Sequence, residues 1–255
     1  MPEDSLPSTN KPARIFDRAV ELLGPEGFAR LQGARVVVVG LGGVGSHTVS
    51  ALARAGVGTL RLVDFDRVSW TSLGRMALAL PQDVGRPKVL ALAERAKAFT
   101  PELVVEAEEA FFHNDTADAL LANVDLVVDA IDAVNPKVAL LRSCVERKLL
   151  VVSSMGAAGR RDPSALQVGD ISETTRCPLA RVVRKRLRRQ GVSAGVSCIW
   201  SVEEPVEPLP PDLEEVTLDR GRTRNRLPNL QALPGIFGYA VASLAIDALV
   251  ALVEG

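Results

Sequence analysis

The chain has 255 residues, 47% hydrophobic and 24% charged, with a formal net charge of −1. That apolar fraction excludes a wholly disordered protein, and the near-zero charge excludes one that coats nucleic acid by bulk electrostatics alone. Three cysteines (Cys144, Cys177, Cys198) and two histidines (His47, His113), with no CxxC pair, supply neither a disulfide framework nor a zinc knuckle and suit a reducing compartment.

Residues 1–13 read as a flexible polar leader without the apolar run of a secretory signal. From Ile15 to Leu31 apolar residues recur at helical spacing, with a break at Gly24-Pro25. The run Arg35 to Gly40 is apolar on both sides of the pleat, as a buried parallel strand is. A helix over 46–54, a strand over 59–63, a helix over 86–98 and a strand over 103–107 follow. A short helix at 117–121, a strand at 125–130, a helix at 136–147 and a strand at 149–153 complete the alternation. The expected fold is α/β: a Rossmann-like, doubly wound, mostly parallel sheet with N-terminal helices. Residues 14–155 would form the nucleotide-binding domain. Residues 156–255 would be an irregular extension with a basic helix at 178–190, a strand at 196–202 and a closing apolar helix from Ile236 to Val253. Asp247 within that last run, and Pro234, Gly235 and Gly238 at its start, favour a core helix over a membrane span.

Gly40, Gly42, Gly43 and Gly45 lie between a strand and a helix, where glycines let the backbone approach a phosphate and the helix N-terminus offers unpaired N–H groups. Asp64 ends the next strand, where an acid can bind a ribose hydroxyl pair. A nucleotide is expected here, with NAD, FAD and ATP all open. Arg75, Lys88 and Asp132 then occupy loop positions at the same edge. Two cations and a carboxylate suit a triphosphate with Mg²⁺ better than a dinucleotide.

In order, GLGGVGS, LVDFDRV, the Arg75 segment, GRPK and VVDAIDAVNPK resemble the ubiquitin-activating-enzyme-like adenylating superfamily, the group of ThiF, MoeB and HesA. RRDPSALQVGDI, CPLARVVRKRLRRQG and CIWSVEEP resemble its tRNA threonylcarbamoyladenosine dehydratase branch, and so does the lack of the two CxxC pairs that hold zinc in ThiF- and MoeB-type relatives. The resemblance implies ATP and Mg²⁺ without zinc. Gly40, Gly42, Gly43 and Gly45 would hold phosphates and Asp64 the ribose, with Asp66 and Ser72 also among the nucleotide-binding residues. Arg75 and Lys88 would neutralise phosphate charge, and Asp132 would hold the metal. Arg18 would reach the neighbouring subunit's site in a homodimer. The reaction implied is adenylation of the threonyl carboxylate of N6-threonylcarbamoyladenosine at position 37 of tRNA, followed by ring closure and net loss of water. A sulfurtransferase or cysteine desulfurase would be a further partner, and the location cytoplasmic. Where the superfamily reads asparagine-x-x-arginine-glutamine, this chain has Ser72, Arg75 and Met76.

Between Arg176 and Arg189 lie seven basic residues and no acidic one. Arg181, Arg184, Lys185 and Arg188 can share one helical face and meet tRNA phosphates, with Arg222, Arg224 and Arg226 adding to the patch. The alternative is a solvated helix paired with the acidic stretch that begins at Glu203 and Glu204. Two other activities share parts of this pattern: adenylation of a ubiquitin-like sulfur carrier, and a nucleotide-binding oxidoreductase or non-catalytic ATP-binding protein.

Overall fold

The computed structural model describes residues 13–210 and 226–251, so the leader to residue 12, Arg222, Arg224 and the last residues of the expected closing helix lie outside the described residues. Seven strands, β1 (Arg35–Val39), β2 (Thr59–Asp64), β3 (Val104–Glu109), β4 (Leu126–Asp129), β5 (Leu150–Ser154), β6 (Leu166–Asp170) and β7 (Ser197–Ser201), form one sheet in the order β3-β2-β1-β4-β5-β7-β6. Neighbours pair in parallel except β6 and β7. The strands of the extension therefore continue the sheet of the nucleotide-binding region through the β5–β7 pair. The order reverses between β1 and β4, and at such a switch point the two flanking loops part to leave a crevice.

The helices are α1 (Asp17–Gly33), α2 (Gly43–Ala55), α3 (Trp70–Leu73), α4 (Lys88–Phe99), α5 (Ala117–Leu120), α6 (Val134–Glu146), α7 (Pro178–Arg188) and α8 (Ala232–Val250). α1 is broken at Gly24, whose φ is 71°, as the Gly-Pro pair implies. β3 runs two residues past its expected end because its ladder with β2 continues to the Asp64–Glu109 pair. α8 begins at Ala232, with Pro234 within its first turn, where a missing N–H costs nothing.

Alternate valines of β1 point to opposite cores. Val36 and Val38 join Leu52, Leu60, Leu62, Leu92, Phe237 and Val241 under α2, α4 and α8. Val37 and Val39 join Leu120, Leu140, Leu141, Val183 and Leu187 under α5, α6 and α7. Burial of each such aliphatic side chain contributes about 1.5–3 kcal/mol before chain entropy is counted. α8 has the length and apolarity of a membrane span, but Leu233, Phe237, Val241, Ala242, Ala245 and Leu249 are core, and half of its most apolar window is buried.

Candidate active site

Gly40 follows β1 at a φ of +90°, and a Cβ there would lie 2.8 Å from the Ala130 carbonyl oxygen. A Cβ on Gly45 would fall 1.8 Å from the Gly40 carbonyl oxygen. Only glycine lets the loop fold back on itself and bring the first turn of α2 against the end of β4. α2 opens at Gly43 with no side-chain cap, so its first N–H groups remain available to an anion. Pro234 of α8 packs on the same loop, 3.1 Å from where a Gly43 Cβ would sit.

Asp64 closes the loop from the β2 side. Its Oδ2 accepts from Leu41 N at 2.6 Å and its Oδ1 from Asp66 N at 2.8 Å. Burial pushes its carboxyl above the usual range, while the Lys88 ammonium pulls it back down. Lys88 is itself buried, and its Nζ donates to Asp66 Oδ2 at 2.9 Å, which leaves two of its three N–H donors for another oxygen. Arg75 lies against the opposite flank of the loop, its Cβ 3.6 Å from where a Gly43 Cβ would be, with Nη1 donating to Thr71 O at 3.1 Å. Asp132 is exposed in the loop after β4. The glycines, Asp64, Asp66, Arg75, Lys88 and Asp132 therefore converge on the carboxyl ends of β1, β2 and β4.

Three expected residues stand differently. Ser72 is buried, and its Oγ accepts from Ser69 N at 3.1 Å in the capping box of α3, so the hydroxyl serves that helix start. Arg18 is 91% exposed on α1 and pairs with Glu21 at 2.8 Å. Arg184 corrects the expectation of four arginines and lysines on one solvent face: it is half-buried and donates to both the carbonyl and the hydroxyl of Thr174, because a partly dehydrated guanidinium needs acceptors. Arg181, Lys185 and Arg188 remain exposed. Glu203, offered as a partner for that helix, instead accepts from the amides of Arg161 and Asp162.

Sequence reasoning missed a buried charge pair beneath the loop. Lys137 Nζ donates to Asp129 Oδ2 at 2.6 Å, both side chains fully buried, and Ser153 Oγ donates to the same oxygen at 2.6 Å. Asp129 Oδ1 accepts from Ile131 N at 3.1 Å. The network ties β4, β5 and α6 together and fixes the loop that carries Asp132. An acid ending an apolar strand, with a lysine on the apolar helix after it, was the available signal.

A crevice with a phosphate-sized glycine turn, an acid on one side and cations on the other defines a nucleotide-binding α/β protein. The ThiF family profile matches residues 16–254, and the chain belongs to the ThiF family. It is 39% identical over 210 residues to the tRNA threonylcarbamoyladenosine dehydratase of Bacillus subtilis, covering 82% of this chain and 83% of that one. Escherichia coli tRNA N6-threonylcarbamoyladenosine dehydratase in complex with AMP superposes with a TM-score of 0.85 at 32% identity, over 97% of this chain and 98% of that one. The same enzyme in complex with ATP gives a TM-score of 0.84 at 30% identity, over 98% and 100%.

Proposed function

We propose that the chain is an ATP-dependent tRNA threonylcarbamoyladenosine dehydratase, acting in the cytoplasm on N6-threonylcarbamoyladenosine at position 37 of tRNA. The observation that carries this reading is the similarity across both halves of the chain to relatives of that name, and the glycine turn, acid and cations at the crevice support it. A sulfur-carrier adenylating enzyme would share the crevice but has no use for a basic helix beside it.

The N–H groups at the start of α2 and the glycine turn bind the phosphates, and Asp64 receives the ribose. The threonyl carboxylate attacks the α-phosphorus, the bond to the β-phosphate oxygen breaks, and pyrophosphate leaves. Arg75 and Lys88 stand where negative charge builds in that step, and positioned charge is the main requirement of phosphoryl chemistry. An atom of the same modification then attacks the acyl carbon, AMP departs, and the ring closes with net loss of one water. The substrate supplies its own nucleophile.

One exposed carboxylate beside substrate phosphates is a donor set that suits Mg²⁺, which binds through one or two carboxylates and keeps several waters. Asp132 would hold it, and the ion would supply charge neutralisation at the phosphates. Arg18 completes the site of a second copy in a homodimer, since its own chain leaves it in solvent. The exposed Arg181, Lys185 and Arg188 meet tRNA phosphates.

The test is incubation of the chain with ATP, Mg²⁺ and tRNA bearing threonylcarbamoyladenosine, read by nucleoside mass spectrometry. Loss of one water with formation of AMP is the expected result. AMP formed only with a ubiquitin-like carrier protein would transfer the reading to sulfur-carrier adenylation.

A further inference from the structure

Between α6 and α7 lies a recess of about 240 Å³ that the steps above do not use. Its lining is mostly polar: Arg142 of α6 and Arg186 of α7 both border it, and Val138 and Ala139 supply its apolar part. Each guanidinium is held by an asparagine: Arg142 Nη2 donates to Asn114 Oδ1 at 3.1 Å, and Arg186 Nη1 donates to Asn135 Oδ1. Gln190, just past the end of α7, adds a third amide. Among the described residues no acid lines the recess itself, although Glu146, one turn further along α6, forms an ion pair with Arg142 Nε at 3.6 Å. That Nε is buried and without a hydrogen-bond partner. Asn135 stands in the first turn of α6, three residues after Asp132, so the recess adjoins the crevice. On its other side α7 carries Arg181, Lys185 and Arg188 into solvent.

We propose that this recess holds one unstacked nucleotide of the RNA, next to the one that reacts. The chemistry of the walls selects it. Amides pair with the edges of bases, a small apolar patch accepts a ring, and a preset guanidinium fork takes a phosphate in two parallel hydrogen bonds. A fully paired helix cannot enter, because sequence-specific RNA sites take bases that loops splay outward. The exposed face of α7 then follows the backbone, and the recess accepts a base from a loop. The proposal rests on the tRNA reading above and narrows it to a single-stranded segment.

The test compares an RNA hairpin of anticodon stem-loop length with a blunt duplex of equal length, by fluorescence anisotropy at one salt concentration. Wild type is expected to prefer the hairpin by roughly tenfold or more, the scale of one base edge held by a side-chain amide. Arg186→Lys and Gln190→Ala each alter an exposed side chain. Arg186→Lys keeps the positive charge and loses the fork; Gln190→Ala alters no charge. Both should bring the preference close to one while duplex affinity stays the same. A preference unchanged in both variants overturns the proposal. Equilibrium dialysis with AMP separates a free nucleotide from a nucleotide of RNA: one AMP per chain is expected, and a second that disappears in Arg186→Lys overturns the RNA assignment. A wild type that dehydrates modified tRNA yet binds hairpin and duplex alike overturns the recess alone. One that neither dehydrates modified tRNA nor binds either RNA overturns both readings.

Discussion

At the residue scale, two positions show how little tolerance the site has. A methyl group on Gly45 meets a backbone carbonyl, which cannot swing aside as a side chain can. Gly45→Ala is therefore expected to cost about 1–3 kcal/mol of stability through overpacking and to weaken ATP binding by roughly tenfold, ~1.4 kcal/mol. Thermal unfolding and equilibrium ATP binding read the two effects separately. His47 lies on α2 behind the same loop, in edge contact with Tyr239, and neither ring nitrogen has a hydrogen-bond partner. Burial lowers its pKa from the ordinary 6.5, with the backbone of Arg75 opposing the shift. Below that value the unfolded chain takes up the proton first. Its contribution to stability is therefore full above about pH 6.5 and falls as the pH drops through that range. The melting temperature measured at pH 7.5 and 5.5 should differ less in His47→Leu than in wild type. Burial pushes the Cys144 and Cys198 thiols up to about 12, far from the thiolate that a nucleophile needs at neutral pH.

At the element scale, the β4–α6 connection stands or falls with its buried ion pair. Removing one partner leaves the other charge buried and unpaired, at a cost of about 3–5 kcal/mol. Asp129→Ala and Lys137→Met should each lose that much in urea unfolding, and the double variant should lose clearly less than their sum. For α7 the expectation is electrostatic. Replacing Arg181, Lys185 and Arg188 with glutamine should make the salt dependence of tRNA binding shallower by about one unit of logarithmic slope per lost phosphate contact. Most elements were legible in the sequence because parallel strands buried on both faces read as unbroken apolar runs, and the glycine loop marks its strand and helix with unusual clarity. What stayed hidden was chemistry that periodicity does not encode. Lys137 reads as an ordinary solvated helix residue until Asp129 is placed beneath it. Arg184 reads as equivalent to Arg181 and Arg188 until the loop with Thr174 packs under α7. The four-residue α3 is too short to carry a period, so Ser72 was legible as a residue but not as a cap.

At the scale of the whole molecule, the residues that converge on the crevice all come from one chain, while Arg18 projects from α1 into solvent beside Glu21. If Arg18 completes the site of a second copy, Arg18→Ala and Asp132→Asn chains should each be inactive alone and recover activity when mixed, since one crevice of a mixed pair then has both groups intact. Dehydration assays on the two proteins and on their mixture after subunit exchange decide this, and a mixture as inactive as its parts would reject the role.

The nucleotide loop is complete by residue 45, yet Pro234 of α8 presses on it from much later in the sequence. A ribosome making this protein delivers the loop well before the helix that supports it. While α8 is still in the exit tunnel, the apolar face of α2 that it will cover stays exposed, and the crevice has no backing behind Gly43. Until α8 emerges, that apolar surface is one for chaperones to shield.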